Sequence, residues 1–157
     1  MSESAAASKK QFAIQKLYLK DASFESPESP QSFGFTQWEP QVELNLTNTH
    51  QHLEGDHFEA VLCATATVKV NDKTAFLIEV HFAGIFVISG FDETELKYLI
   101  GSQAMTALFP YVREAVTDLT TRGGFPPLIL SPVNFDALYQ KHLKEQQQAQ
   151  NGGDAAQ

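Results

Sequence analysis

The chain of 157 residues contains a single cysteine, Cys63, and no run of about 20 apolar residues that could span a membrane. One cysteine cannot form an internal disulfide, which suits a reducing compartment, and its apolar alternating surroundings indicate a core or sheet residue. The first ten residues are small and polar and lack the apolar core of a secretory signal. We therefore expect a cytoplasmic protein that does not insert into a membrane.

Basic residues are also few, with 11 lysines and arginines against 19 aspartates and glutamates. Apart from Lys9-Lys10, the basic residues are scattered singly along the chain, so the sequence shows no basic cluster for a nucleic-acid backbone. Nucleic acid is therefore not an expected partner.

Motifs for catalysis and nucleotide binding are missing as well. No Ser, Thr or Cys lies in a nucleophile motif, and His81 within a strand segment is interpreted as a packed or surface residue instead of a general base. Gly123-Gly124 follows a helical segment and has no adjacent lysine, so it does not fit a phosphate-binding loop. We expect no enzyme activity and no cofactor.

One group of metal-ligand residue types occurs between two strand segments: His50, His52, Glu54, Asp56 and His57. These residues fall in a polar turn and have no recognised ligand spacing. The interpretation as solvated loop residues is favoured over a metal site, and no metal is assigned to this chain.

Alternating apolar and polar residues predict four strands, over residues 12–19, 41–47, 57–70 and 74–88. Asn71-Asp72-Lys73 predicts a tight turn between the last two strands, and therefore an antiparallel hairpin. Residues 26–37 contain two prolines and several serines, which predicts an irregular crossover loop ending at Trp38. A four-stranded antiparallel sheet follows from this order.

Helical spacing of apolar residues begins after the last strand. It predicts one helix from an N-cap at Asp92 through Thr121, ended by Gly123-Gly124. Pro110 either kinks this helix or begins its second half, because proline lacks the backbone donor of an interior position. A second helix starts at Asn134 and carries on one stripe Phe135, Leu138, Tyr139 and Leu143. Strands followed by helices predict an α+β fold, with two C-terminal helices packed on one side of the sheet.

Both ends of the chain are poor in apolar residues. Residues 1–10 and 145–157 are rich in Ala, Ser, Gln and Gly and cannot offset the entropy cost of becoming ordered. We predict disordered tails there and a single domain over residues 11–144.

Six segments of this sequence resemble, in the same order, segments of SecB-type protein-export chaperones: YLKDASFESP at 18–27, WEP at 38–40, AFLIEV at 75–80, LFPYVRE at 108–114, GGFPPL at 123–128 and PVNFDALY at 132–139. The resemblance covers residues 11–143. It implies an ATP-independent holding chaperone that binds unfolded precursor proteins, keeps them translocation-competent and delivers them to the SecA ATPase. Ala83-Gly84 and Ala104-Met105 depart from the pairs common in the family, Gly-Gly and Cys-Pro.

The resemblance also assigns a surface for the ATPase. Leu77 and Glu79 share one face of an alternating strand, and the pattern alone favours a solvated face there. Family members use matching positions to contact the zinc-bearing C-terminal segment of SecA. This implies SecA-binding residues Asp21, Glu25, Leu77 and Glu79, with the zinc belonging to the partner.

A set of apolar residues at the crossover loop, the second strand and the last helix is interpreted from its pattern alone as core. In SecB-like chaperones this region borders an apolar groove for unfolded segments. The resemblance therefore implies client-binding residues Trp38, Val42, Leu44, Phe135, Leu138 and Tyr139.

Family members assemble as homotetramers, as dimers of dimers, and the long helix has more apolar positions than one small sheet needs. These positions give an expected oligomer interface of Leu108, Val112, Ala115, Val116 and Leu119. The competing interpretation is an unrelated ligand-binding or enzymatic α+β domain with a closed aromatic pocket, which would ignore denatured protein.

Overall fold

The computed structural model describes residues 9–34 and 37–153. Four strands, β1 (Gln11–Glu25), β2 (Gln41–His52), β3 (His57–Val70) and β4 (Lys73–Ser89), form one sheet in the order β1-β4-β3-β2. Every neighbouring pair is antiparallel, and the α-helices follow the strands in the chain, with one 3-10 turn (Gln31–Gly34) between β1 and β2. The predicted α+β fold with a four-stranded antiparallel sheet is confirmed.

The β3–β4 hairpin turns at Asn71 and Asp72, which both have positive φ, at 52° and 63°. This left-handed conformation is the one that a two-residue turn between twisted strands requires, and Asn and Asp tolerate it better than most residues. The register then shifts by one residue between Val68 and Lys69. That shift decides which side chains of the two strands lie opposite each other.

The long helical segment is made of three consecutive parts: α1 (Glu93–Tyr98), a π-helical turn (Leu99–Gln103) and α2 (Ala104–Arg122). The predicted N-cap is confirmed, because the Asp92 side chain accepts a hydrogen bond from the Glu95 backbone N–H at 2.8 Å and Glu95 reciprocates in a capping box. Pro110 lies inside α2, past its first turn. The proline therefore neither begins a helix nor ends one.

The second predicted helix, α3 (Phe135–Gly153), starts where the sequence places it. The Asn134 side chain accepts a hydrogen bond from the Ala137 N–H at 3.0 Å, which confirms Asn134 as the N-cap. The helix continues through residues 145–153, which composition assigns to a disordered tail. The predicted N-terminal tail lies outside the described residues, except for Lys9 and Lys10. None of the helices in the described part of the chain is long and apolar enough to span a membrane.

The core lies between the sheet and α2. Even-numbered residues of β3 point toward the helix, and those from Ala60 to Val70 are buried, as are Phe76, Ile78 and Val80 of β4. Leu108, Val112 and Val116 of α2 are fully buried against them. We call this side of the sheet the helix face and the opposite side the outer face.

An aromatic cluster closes one end of this core. Phe76 is 1% exposed and packs on Phe24, Trp38 and Phe125 at centroid distances of 5.7, 6.5 and 4.9 Å. Phe33 covers Phe125 from outside at 5.1 Å and is itself 54% exposed. Several of the twelve phenylalanines are thus gathered at the point where the crossover loop meets the sheet.

Candidate functional site

The outer face brings together the four residues assigned to the ATPase. Glu25 lies directly opposite Leu77 across the β1–β4 pair, and Glu79 lies opposite Ser23, between Glu25 and Asp21. Because paired residues of neighbouring strands point to the same side, Asp21, Glu25, Leu77 and Glu79 form one continuous surface, here called the acidic patch.

The acidic patch is open to solvent, and the nearest lysine does not pair with it. Asp21, Glu25 and Glu79 are exposed and Leu77 is half-buried among them. Lys20 is the sequence neighbour of Asp21, but its ammonium lies 2.8 Å from the carboxylate of Glu59. The patch therefore presents three carboxylates, with Leu77 beside Glu25 and Glu79 at one end, which suits a basic partner.

Sequence reasoning missed that Cys63 and His81 adjoin the acidic patch. Cys63 lies opposite His81 across the β3–β4 pair, and the His81 Nε2 atom is 3.4 Å from Cys63 Sγ and 2.6 Å from Glu79 Oε1. A hairpin turning at Asn71-Asp72 without a register shift would pair Cys63 with residue 80 instead. The sequence predicts the turn, but it does not predict the one-residue register shift near Lys69.

A buried carboxylate, that of Glu59, lies on the outer face away from the acidic patch. Glu59 of β3 accepts hydrogen bonds from Tyr18, from Lys20 at 2.8 Å and from Gln51 at 3.0 Å. Tyr18 and Lys20 of β1 reach Glu59 across β4, where Ala83 lies between Tyr18 and Val61 and leaves room because its side chain is small. Side chains from β1 and β2 thus donate hydrogen bonds to one carboxylate of β3.

This network sets two pKa values. Burial alone would raise the pKa of Glu59, but the hydrogen bonds from Lys20, Tyr18 and Gln51 outweigh it and hold the pKa below the ordinary 4.5. Burial and the nearby Glu59 carboxylate raise the pKa of Tyr18 to about 12. The folded chain therefore favours a charged Glu59 beside a neutral Tyr18.

We expect the Glu59 network to make the stability of the fold depend on pH in the acidic range. Since the folded-state pKa of Glu59 lies below its unfolded value, its contribution is present above about pH 4.5 and is lost as the pH falls through the folded-state pKa. Thermal melting from pH 7 to pH 3 should show a smaller decline for Glu59→Gln than for the unchanged chain. An identical decline in both proteins would contradict the role given to Glu59.

The helix face carries a second candidate surface, beside the edge strand β2. A cavity of about 1000 Å³ opens between β2, the π-helical turn and α3. Its apolar lining includes Leu46, Phe58, Leu62, Leu96, Ile100, Phe135, Leu138, Tyr139 and Leu143. We call this cavity, together with the helix-face residues of β2 that lead to it, the β2 groove.

The six residues assigned to client binding do not all lie in the cavity. Phe135, Leu138 and Tyr139 line the cavity itself. Val42 and Leu44 lie further along the strand, opposite the buried Val68 and Ala66, and are 42% and 40% exposed. Because these residues, Leu46 and the cavity lie on one side of β2, they form one continuous apolar strip.

Trp38 lies beyond this strip, in the aromatic cluster, where it packs on Phe125 at 5.8 Å and is half-buried. It therefore contributes part of its surface to the core and does not line the cavity.

One wall of the cavity depends on a glycine. A Cβ atom on Gly101 in the π-helical turn would lie 2.7 Å from a ring carbon of Tyr139. The Tyr139 ring also contacts Tyr98 edge-on at 5.7 Å, and Phe135 contacts Phe109 in the same manner at 5.6 Å. Helix α3 is thus held by aromatic contacts to α1 and α2, and its Tyr139 ring packs on position 101, where there is no room for a side chain.

Burial within the protomer leaves only part of the expected α2 interface able to contact a second copy. Leu108, Val112 and Val116 are each 0% exposed, because α2 packs this stripe on its own sheet. They have no surface left for a second copy. Ala115 and Leu119 remain partly exposed, and Tyr111 beside them is 44% exposed.

Comparison with known proteins identifies the family. A family model described as preprotein translocase subunit SecB matches residues 5–146. The protein-export protein SecB of Methylococcus capsulatus is 54% identical over 151 residues, covering 96% of this chain and 97% of its own. The protein-export protein SecB of Nitrosococcus oceani is 53% identical over 146 residues, covering 92% and 87%.

A solved structure supports the fold independently. The SecB-like chaperone of Mycobacterium tuberculosis, solved in complex with a peptide from an antitoxin, superposes with a TM-score of 0.67 at 23% identity. The match covers 78% of this chain and 90% of the mycobacterial chain. With sequence identity above one half over nearly the whole length of its relatives, this chain belongs to the SecB family of protein-export chaperones.

Proposed function

We propose that this chain is an ATP-independent holding chaperone of the cytoplasm, without catalytic activity, that binds unfolded precursor proteins and delivers them to the SecA ATPase. The observation that carries the proposal is the β2 groove, an open apolar surface continuous with a cavity of about 1000 Å³. A folded monomer seldom leaves such a surface open unless a partner covers it.

The β2 groove suits unfolded chains because apolar burial has no direction. Each fully buried apolar side chain contributes about 1.5 to 3 kcal/mol whatever its shape, so many sequences can bind. Folded proteins have already buried these side chains and offer little to the groove. Val42, Leu44 and Leu138, each at least 40% exposed, supply apolar area that a client would cover.

The acidic patch is the surface that we assign to the ATPase. It places three exposed carboxylates and Leu77 on one face of the sheet, an arrangement that suits a compact basic module such as the zinc-bearing segment of SecA. Charge complementarity of this kind mainly speeds and selects the encounter. The zinc in this contact would belong to the partner.

We further propose a homotetramer arranged as a dimer of dimers, with Ala115, Leu119 and Tyr111 of α2 in a contact between copies. Several grooves on one particle would raise the apparent affinity for a long unfolded chain while each site still releases quickly. That property replaces a nucleotide-driven release step.

Native mass measurement tests the proposal. The protein would be measured alone, with a chemically unfolded exported precursor, and with the same precursor folded. A fourfold assembly that gains one unfolded precursor and no folded one is expected. An assembly of any size that ignores the unfolded chain would refute the holding function and favour a small-molecule ligand for the cavity.

A further inference from the structure

Three different metal-ligand side chains converge on the outer face of the sheet. The ligand atoms of Cys63, Glu79 and His81 all lie within 4.8 Å of one another. Cys63 and His81 are half-buried, and Glu79 is exposed. Neither the holding function nor the docking of the ATPase requires the cysteine or the histidine.

The backbone fixes this arrangement without loops. Cys63 lies on β3 and His81 directly opposite on β4, while Glu79 precedes His81 by two residues and so shares its face. β3 and β4 are the two central strands of the sheet. Directly opposed residues keep their Cβ atoms about 4.5 to 5.5 Å apart, so ligands on these strands are held ready for one ion.

One of the two observed ligand distances already matches a tetrahedral zinc site, and the other requires a small side-chain adjustment. With Zn–S near 2.3 Å and Zn–N near 2.0 Å, the sulfur and nitrogen ligands lie about 3.5 Å apart, and nitrogen and oxygen ligands about 3.3 Å apart. The Cys63 Sγ to His81 Nε2 distance is 3.4 Å. The His81 Nε2 to Glu79 Oε1 distance of 2.6 Å must open by about 0.7 Å. The exposed Glu79 side chain can make that adjustment by rotating its terminal bonds.

The donor set selects the metal. One thiolate, one imidazole and one carboxylate form a mixed sulfur, nitrogen and oxygen set, which suits zinc, whereas magnesium and calcium require oxygen ligands throughout. Three protein ligands leave a fourth position for water or a further group. We propose that Cys63, His81 and Glu79 form a zinc-binding site on the outer face of the sheet.

Binding replaces interactions that are already present. The ion would take the place of the hydrogen bond between His81 and Glu79, and the Cys63 thiol would release its proton to solvent as the Zn–S bond forms. Affinity should therefore rise with pH across the neutral range. Asp21, which lies opposite His81 on β1, adds a further negative charge near the cation.

Cobalt titration of the untagged, metal-free protein tests this proposal. Co²⁺ bound to a thiolate gives a charge-transfer absorption, and any such band must come from Cys63, the only cysteine of the chain. We expect the band to saturate at one Co²⁺ per chain and to disappear when Zn²⁺ is added. Cys63→Ser should lose the band, and His81→Ala should weaken cobalt binding at least tenfold.

His50→Ala is the matched control, because His50 lies opposite Ala60 on the helix face and should leave the titration unchanged. Circular dichroism of each variant verifies that the sheet is folded, and Cys63→Ala serves if Cys63→Ser does not fold. The proposal is overturned if the unchanged protein shows no thiolate band, or if folded His81→Ala retains full affinity. Neither result bears on client binding, so the zinc site and the holding function are tested independently of each other.

Discussion

Glu79→Lys is expected to abolish docking of the SecA ATPase while client binding persists. Glu79 lies at the centre of the acidic patch, between Asp21 and Glu25 on the neighbouring strand. A lysine there would face a basic partner with like charge, which costs several kcal/mol, and the affinity should fall by at least about 30-fold. Calorimetry with the zinc-bearing segment of SecA measures the loss, and capture of an unfolded precursor measures what is retained.

Glu43→Lys is the matched control for this variant. Glu43 lies on the same outer face, on β2 opposite Thr67, and its replacement changes the net charge by the same amount. It should leave docking nearly unchanged, because β3 separates β2 from the two strands that carry the acidic patch, β1 and β4. Equal losses in the two variants would show that overall charge, not the acidic patch, governs the contact. Loss of client binding with Glu79→Lys would show that the fold had failed.

Phe76→Ala should destabilise the chain by about 3 to 5 kcal/mol, the cost of emptying a buried phenylalanine site. Phe76 is 1% exposed and contacts three other aromatic rings, so its neighbours cannot close the space without breaking these contacts. Chemical denaturation at fixed protein concentration measures the free energy of unfolding. Trp38, the only tryptophan, stacks on Phe76, and its emission should shift to the red in the folded variant.

Phe33→Ala provides the comparison for Phe76→Ala within the same cluster. Phe33 stacks on Phe125 at 5.1 Å but is 54% exposed, so its removal leaves no enclosed cavity. A loss of about 1 kcal/mol is expected, in the range of a single aromatic pair. Similar losses for the two variants would mean that the cluster does not close the core.

The sheet could be predicted from the sequence because its signals are local. Alternation fixes which residues of each strand share a face, and Asn71-Asp72 fixes the hairpin. Two features were not predictable in this way. The one-residue shift near Lys69 pairs Cys63 with His81, and the bulge beside Lys20 on β1 moves Tyr18 to the outer face. Bulges have no strong composition signal, so the zinc-ligand set and the Glu59 network appear only in three dimensions.

The helical segment contains a further feature that the sequence pattern does not predict. Spacing predicts one helix from Asp92, and the structure agrees about its beginning and end, but the π-helical turn at Leu99–Gln103 has no sequence pattern of its own. That turn places Gly101 under Tyr139. Spacing alone also cannot distinguish residues that face their own sheet, as Leu108, Val112 and Val116 do, from residues that face a second copy.

The β2 groove and the acidic patch lie on opposite sides of a single-layered sheet. Under the proposed function, a client in the β2 groove and the ATPase on the acidic patch would not compete for area, and a ternary complex could form without either ligand leaving. Direct displacement of the client by the ATPase would then play no part within one protomer. The relay would instead use the ATPase's own affinity for the client, so the rate of transfer should depend on how quickly a tethered client dissociates and is recaptured nearby.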